Sequence, residues 1–288
     1  MRAFVKLARP QQYTKNLFIF LPVYFGLQIR NLEHMLNVSL SFIAFSLVAS
    51  GVYILNDLID IQEDKKHPVK RKRPLASGDV SRVHALILLI VLLSSGLLVS
   101  AGVNFTVMRL ILFYFGINIL YSVKLKHVPI IDIVTIAVGF VMRVLVGIYS
   151  TDLTISMWIV VMTFLLALFL ALAKRRDDVL IYNNGGGKVR RVIDGYNIQF
   201  IDGAMVIMAS VVLVAYILYT VSPEIIIKFH SERVYLSALF VLIGILRYMQ
   251  ITFVEEDSGS PTDVLLRDRF LQLTILAWIG VIGWILYL

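Results

Sequence analysis

Acidic side chains gathered where a long apolar stretch ends are the first place in this sequence where chemistry can be done. The run Asn56-Asp57-Leu58-Ile59-Asp60-Ile61-Gln62-Glu63-Asp64 closes an uncharged segment that begins at His34. If the helix implied by that segment continues, Asp57, Asp60 and Asp64 share one face, because residues three and four apart are neighbours on a helix surface. Carboxylates clustered beside lipid are costly unless a cation neutralises them, and Mg²⁺ binds through a few carboxylates together with substrate phosphates. The spacing therefore predicts metal ligation by Asp57, Asp60 and Asp64, Asp57 and Asp60 being catalytic, with a diphosphate as the metal's partner and the Asn56 amide at the head of the site. The plainer reading is a solvated acidic helix end balanced by Lys65, Lys66 and Lys70; Asn56 favours the site.

A second polar stretch, Ala173-Lys174-Arg175-Arg176-Asp177-Asp178, follows another apolar run. Lys174 and Asp177 or Asp178 can share a helix face, so one carboxylate could serve a metal, but the local field is net positive. Such a field suits a phosphate, for which Arg offers bidentate donors and Lys a point charge. Lys174, Arg175, Arg176 and Asp177 are predicted to contact substrate, with Lys174 also catalytic. Lys15 beside Asn16, and Tyr121 with Lys126, are further candidates, while Lys65, Lys66 and Lys72 read as anchoring charges. Arg143 lies well inside an apolar segment, where a full charge must face a polar interior or a partner. None of the five histidines sits in an arrangement that suggests a general base.

The elements that must position these groups are membrane helices. The chain has 288 residues, 59% of them hydrophobic and 16% charged, which is too apolar for a soluble core and too long for one span. Uncharged runs recur at His34 to Asn56, Leu153 to Ala173, Gly203 to Pro223 and Phe270 to Leu288. Val83 to Val123 carries one full charge, Arg109, and divides into a hairpin near Gly102 and Asn104. Asn16 to Ile29, Ile133 to Thr151 and Val234 to Val254 complete a set of about nine spans, all α-helical. With the N-terminus inside, 21 of the 27 basic residues fall in the N-terminal segment and the four inward connections. That asymmetry is the positive-inside pattern; it explains the net charge of +8 better than nucleic-acid binding does, and it predicts an inner, cytoplasmic membrane location with the site facing the cytoplasm. The basic start leads into a span containing Pro22 without a small-residue cleavage site, so no cleaved signal is expected. The absence of cysteine excludes disulfides and thiolate metal sites.

The two richest connections, about 56–82 and 174–202, lie four helices apart. This predicts one transmembrane domain over 1–288, built of two related halves around a central polar cavity open to the cytoplasm. Gly185-Gly186-Gly187 lacks the strand-to-helix context of a nucleotide loop and reads as a flexible connection.

The pattern Asn56-Asp57-x-x-Asp60-x-x-x-Asp64, followed by Arg73-Pro74-Leu75 and Gly78, resembles the first signature of the UbiA superfamily of intramembrane transferases. The resemblance implies that the aspartates hold Mg²⁺ on a diphosphate whose departure creates an electrophilic carbon. In the aromatic prenyltransferases of that superfamily a second aspartate set follows; here Lys174-Arg175-Arg176 stand in front of two acids. Together with Arg9-Pro10-Gln11-x-x-x-Lys15-Asn16, Tyr121-Ser122-x-x-Leu125-Lys126 with Asp132, Gly139-Phe140-x-x-Arg143 and Leu266-Arg267-Asp268-Arg269, this is similar to the decaprenyl-phosphate phosphoribosyltransferase branch. The likeness implies 5-phosphoribosyl 1-diphosphate as donor and a polyprenyl phosphate as acceptor, with Lys15, Asn16, Asn56, Arg73, Tyr121, Lys126 and Arg143 among the substrate-binding residues. Asp177-Asp178 departs from that branch's pattern.

Two other functions compete. An aromatic prenyltransferase would share the first motif and differ at the cations of the second. An anion transporter would use Arg143 and paired half-repeats, but it leaves the aspartate spacing unexplained. The bilayer is the expected surroundings, and a homo-oligomer remains open.

Overall fold

The computed structural model describes residues 2–66, 70–153, 156–185, 191–256 and 261–287. Its ordered elements are all helical, and they form two compact units, Met1–Ile155 and Ser156–Leu288.

In the first unit, α1 (Arg2–Ala8) leads through Arg9 into an 11-residue 3₁₀ helix, Pro10–Phe20, and then α2 (Leu21–Phe25). There follow α3 (Leu32–Ile59), the short α4 (Ile61–Lys66) and α5 (Pro74–Ser77), and the spans α6 (Arg82–Val103), α7 (Phe105–Val123) and α8 (Ile131–Thr151). In the second unit, α9 (Met157–Asn183), α10 (Ile198–Thr220), α11 (Pro223–Phe229), α12 (Ala238–Phe253), α13 (Pro261–Arg267) and α14 (Arg269–Tyr287) follow in order.

Eight helices among the described residues are long and apolar enough to cross a membrane, beginning with Leu32–Ile59 and ending with Arg269–Tyr287. The remaining segment expected to span, Asn16 to Ile29, is not one helix: it is divided between the 3₁₀ helix and α2. Proline explains the division, since Pro10 and Pro22 each suit the first turn of a helix and resist its interior. The hairpin falls where expected. Asn104 ends α6 and caps α7, its Oδ1 accepting from Val107 N at 2.8 Å, and its Nδ2 donates to Tyr149 O at 2.8 Å, tying the turn to α8.

The core of the first unit gathers Phe45, Val48 and Val52 of α3 with Ile111 and Tyr114 of α7 and Met142 and Val146 of α8. Outward faces carry exposed leucines, isoleucines and phenylalanines, such as Leu98 and Phe113, as helices solvated by lipid require. Close approach depends on Gly96, where an added Cβ would lie 2.7 Å from Val48 and 2.8 Å from the Ala44 carbonyl oxygen. The tripeptide Gly185-Gly186-Gly187 lies outside the described residues except for Gly185, which has a positive φ just after α9.

Candidate active site

The carboxylate row begins on α3, but the uninterrupted helical face expected of it does not form. α3 ends at Ile59, Asp60 sits at φ −90°, ψ 6°, and α4 begins at Ile61. The break separates the acids into two settings. Asp57 and Asp64, both buried, are bridged by Arg73, whose NH1 lies 3.0 Å from Asp57 and 2.7 Å from Asp64. Asp60 instead receives Lys126 Nζ at 2.5 Å. Lys126 itself is buried, on the short turn that follows α7.

Asp57 has a second partner, Arg9, which the family pattern contains but the sequence does not single out as a site residue. Arg9 NH2 donates to both of its carboxylate oxygens, at 2.6 and 2.8 Å, and the guanidinium lies 5.3 Å from the Tyr53 ring centroid. Arg9 adopts the left-handed conformation, φ 54° and ψ 55°, directly before Pro10. A non-glycine residue pays for that conformation, and the paired hydrogen bonds to Asp57 offset the cost. Beyond its place in that pattern, the sequence signal for Arg9 is a cation preceding a proline; its partner is 48 positions away.

A second strained turn stands beside Lys126. Ile130, between Pro129 and α8, has φ 69° and ψ −49°, and Ile131 N donates back to Pro129 O at 2.8 Å. This is the rare positive-φ γ-turn, and it delivers Asp132 fully buried at the head of α8. Asn56 and Tyr121 are half-buried near these ends, and Lys15 is half-buried on the 3₁₀ helix.

Arg143 is enclosed within the first unit. Only 4% of it is exposed; its guanidinium donates to Asn16 Oδ1 at 2.8 Å and Gly139 O at 2.6 Å, and it lies within 5.3 Å of the Phe45, Tyr114 and Phe140 ring centroids. Asn16 is buried with it, donating through Nδ2 to Ser46 Oγ at 2.9 Å.

In the second unit α9 continues ten residues past Ala173, so Lys174 to Asp178 are helical rather than part of a loop; no helix breaker precedes Asn183 and Asn184. Arg175 is fully buried and bridges to Asp178 at 2.7 Å. Arg176 donates to Asp202 at 2.7 Å and to the Thr252 carbonyl at 2.7 Å, over the Phe253 ring. Lys174 and Asp177, three residues apart, are half-buried. Asp202, which holds Arg176 from α10, carries no local motif that would have revealed it. At the start of α14, Asp268 accepts from Leu271 N at 2.6 Å and pairs with Arg247 at 2.6 Å; the Arg247 hydrogen bond holds its carboxyl below the usual carboxylate range.

The donor set of the first motif suits Mg²⁺ chemically, being three hard carboxylates at a helix end. Among the described residues, however, no three metal-ligating side chains already converge. Arg9, Arg73 and Lys126 occupy the carboxylates, so a metal would take these ligands by displacing monovalent cations.

The model of the UbiA prenyltransferase family matches residues 17–273. A protein named decaprenyl-phosphate phosphoribosyltransferase from Mycolicibacterium smegmatis is 29% identical over 98% of this chain and 92% of its own length. One of the same name from Corynebacterium glutamicum is 29% identical over 99% of this chain and 86% of its own. The structure of a UbiA homolog from Archaeoglobus fulgidus bound to GPP and Mg²⁺ aligns with TM-score 0.72 over 99% of this chain and 100% of that one, at 19% identity. That last likeness is one of fold.

Proposed function

The chain belongs to the UbiA prenyltransferase family, and from that premise we propose that it transfers 5-phosphoribose from 5-phosphoribosyl 1-diphosphate to a polyprenyl phosphate at the cytoplasmic side of the inner membrane. The observation that carries this choice over aromatic prenyl transfer is the state of the second acidic pair. Asp178 is buried and committed to Arg175, so it is not offered to a second metal, and Lys174 shares its stretch of α9 with Asp177. Relatives over nearly the whole chain bear the phosphoribosyltransferase name.

In this mechanism a lipid phosphate oxygen bonds to ribose C1 while the bond from C1 to the diphosphate oxygen breaks, the electron pair leaving with diphosphate. Asp57, Asp60 and Asp64 would hold Mg²⁺, which when bound supplies positive charge to the leaving group. Arg9, Arg73 and Lys126, released from the carboxylates, neutralise diphosphate oxygens. Asn56, Lys15 and Tyr121 orient the donor. Lys174 offers a point charge for a substrate phosphate. Arg175 and Arg176 support that segment of α9 through Asp178 and Asp202. No general base is required, because the attacking oxygen is already anionic near neutral pH.

The test is incubation of purified protein with labelled phosphoribosyl diphosphate and polyprenyl phosphate, beside a parallel reaction offering polyprenyl diphosphate and an aromatic acid. A labelled lipid that releases ribose phosphate in mild acid is expected. Consumption of the prenyl donor alone would overturn the reading and leave the fold standing.

A further inference from the structure

We propose that Arg143 is a positioning residue for the donor: it holds the 3₁₀ helix Pro10–Phe20 in register, and through Asn16 it sets the place of Lys15 relative to Arg9. The proposal rests on the reading that a phosphorylated donor is bound by cations of the first unit.

A 3₁₀ helix rarely runs past three or four residues, because its hydrogen bonds are poorly aligned. One of 11 residues must be held from outside. Its three-residue period places Tyr13, Asn16 and Ile19 on one face. Tyr13 Oη donates to Ser50 Oγ at 2.9 Å, since Ser50 itself donates to Ala8 O at 2.7 Å, and Asn16 meets Ser46. Three residues of a 3₁₀ helix and four of an α-helix both rise about 6 Å, so successive rungs meet Ser50 and Ser46 of α3 without drift. On the other side, Arg143 grips Asn16, and one turn later Gly147 admits the Ile19 backbone, whose carbonyl oxygen would lie 2.1 Å from any Cβ added there.

Asn16 is the centre of this seam, and Arg143 is the residue that joins it to α8. A charge enclosed by aromatic rings inside a span is expensive. Its fork does what an apolar side chain of the same size does not: it ties the Gly139 carbonyl to the Asn16 amide at once. Released from that tie, residues 10–20 would gain by winding toward an α-helix, which turns about 100° per residue against about 120°. Over the five residues from Pro10 to Lys15 the difference is about 100°, more than a quarter of a turn. Lys15 would be turned by that angle relative to the start of the helix, where Arg9 is held by Asp57.

Steady-state kinetics of the full chain in detergent, with donor and acceptor varied separately, test this in Arg143→Lys and Ser46→Ala. Lysine keeps the charge but not the fork; alanine at 46 loosens Asn16 from the α3 side without touching any charged group. Arg143→Lys is expected to raise the donor KM about tenfold and Ser46→Ala about threefold, with kcat and the acceptor KM moving less than about threefold in both. A loss confined to kcat or to the acceptor KM, or an unchanged donor KM in both, overturns the proposal. Should Arg143→Lys yield no folded protein, Ser46→Ala decides alone. If the wild type transfers no phosphoribose, the proposed function fails separately, and calorimetric binding of plain diphosphate with Mg²⁺ to the same variants takes over: weakening by these factors supports the positioning role, and equal affinity overturns it.

Discussion

The two charged motifs are electrostatic opposites. In the first, acids are the fixed elements, Asp57 and Asp64 being buried, while the cations that meet them are partly exposed, Arg9 by 20% and Arg73 by 26%. In the second, the cations are fixed: Arg175 and Arg176 are only 1% and 6% exposed. Partly exposed partners on long side chains are exchangeable, whereas a fully desolvated pair is costly to separate. The first motif is therefore poised for ligand exchange, and the second is framework around one half-buried edge, that of Lys174 and Asp177.

The sharpest way to break this contrast is Arg175→Ala. It would take the Arg175 partner from the buried Asp178 carboxylate, and removing one member of such a pair costs about 3–5 kcal/mol. Thermal unfolding in detergent should show a large loss of stability, whereas Arg9→Ala, which leaves Asp57 its Arg73 partner, should lose turnover while melting closer to wild type. Similar melting of both variants would abolish the distinction.

Next in size is Asp57→Asn, which removes a charged ligand at constant shape. Turnover should fall by about two orders of magnitude. Near-normal Mg²⁺-dependent activity would remove Asp57 from the metal site.

A third expectation concerns order of binding. Three carboxylates face three cations in the first motif, so little net field remains to attract a free divalent ion. Mg²⁺ titrated alone by calorimetry should bind at least about tenfold more weakly than in the presence of plain diphosphate, which would draw off the cations. Equal affinities would mean that the carboxylates are free of Arg9, Arg73 and Lys126 in solution.

The spans were legible in the sequence because composition and length decide them: α3, α6, α7, α8 and α14 begin and end within a few residues of the apolar runs, and Asn104 announced the hairpin. What the sequence did not disclose depends on partners far along the chain. The side chains that meet the 3₁₀ helix Pro10–Phe20 are Ser46, Ser50 and Arg143, none of them local. The break at Asp60 shows no proline or glycine to mark it. Arg175 and Arg176 read as ligand-seeking cations because Asp202 and the Thr252 carbonyl, which engage Arg176, lie on other helices. Chemical type was readable at each motif; which charges were already spent was not.

The smallest predicted effect tests a pair at the edge of the second unit. Asp268 caps the first turn of α14 and pairs with Arg247 of α12, and these contacts hold its carboxyl below the ordinary range. A carboxylate whose pKa is depressed on folding stabilises the fold at any pH above its unfolded value; that contribution disappears as pH falls through the folded value. The wild type should therefore lose melting temperature below about pH 4 partly through this group. Asp268→Asn keeps a side-chain oxygen for the Leu271 N–H but cannot titrate, so it isolates the ion pair from the cap. It should melt slightly lower at neutral pH, by roughly 1 kcal/mol or less for a partly exposed pair, and the gap to wild type should close in acid. A gap that stays constant down to pH values below the folded pKa would show that the contribution of Asp268 is the cap alone.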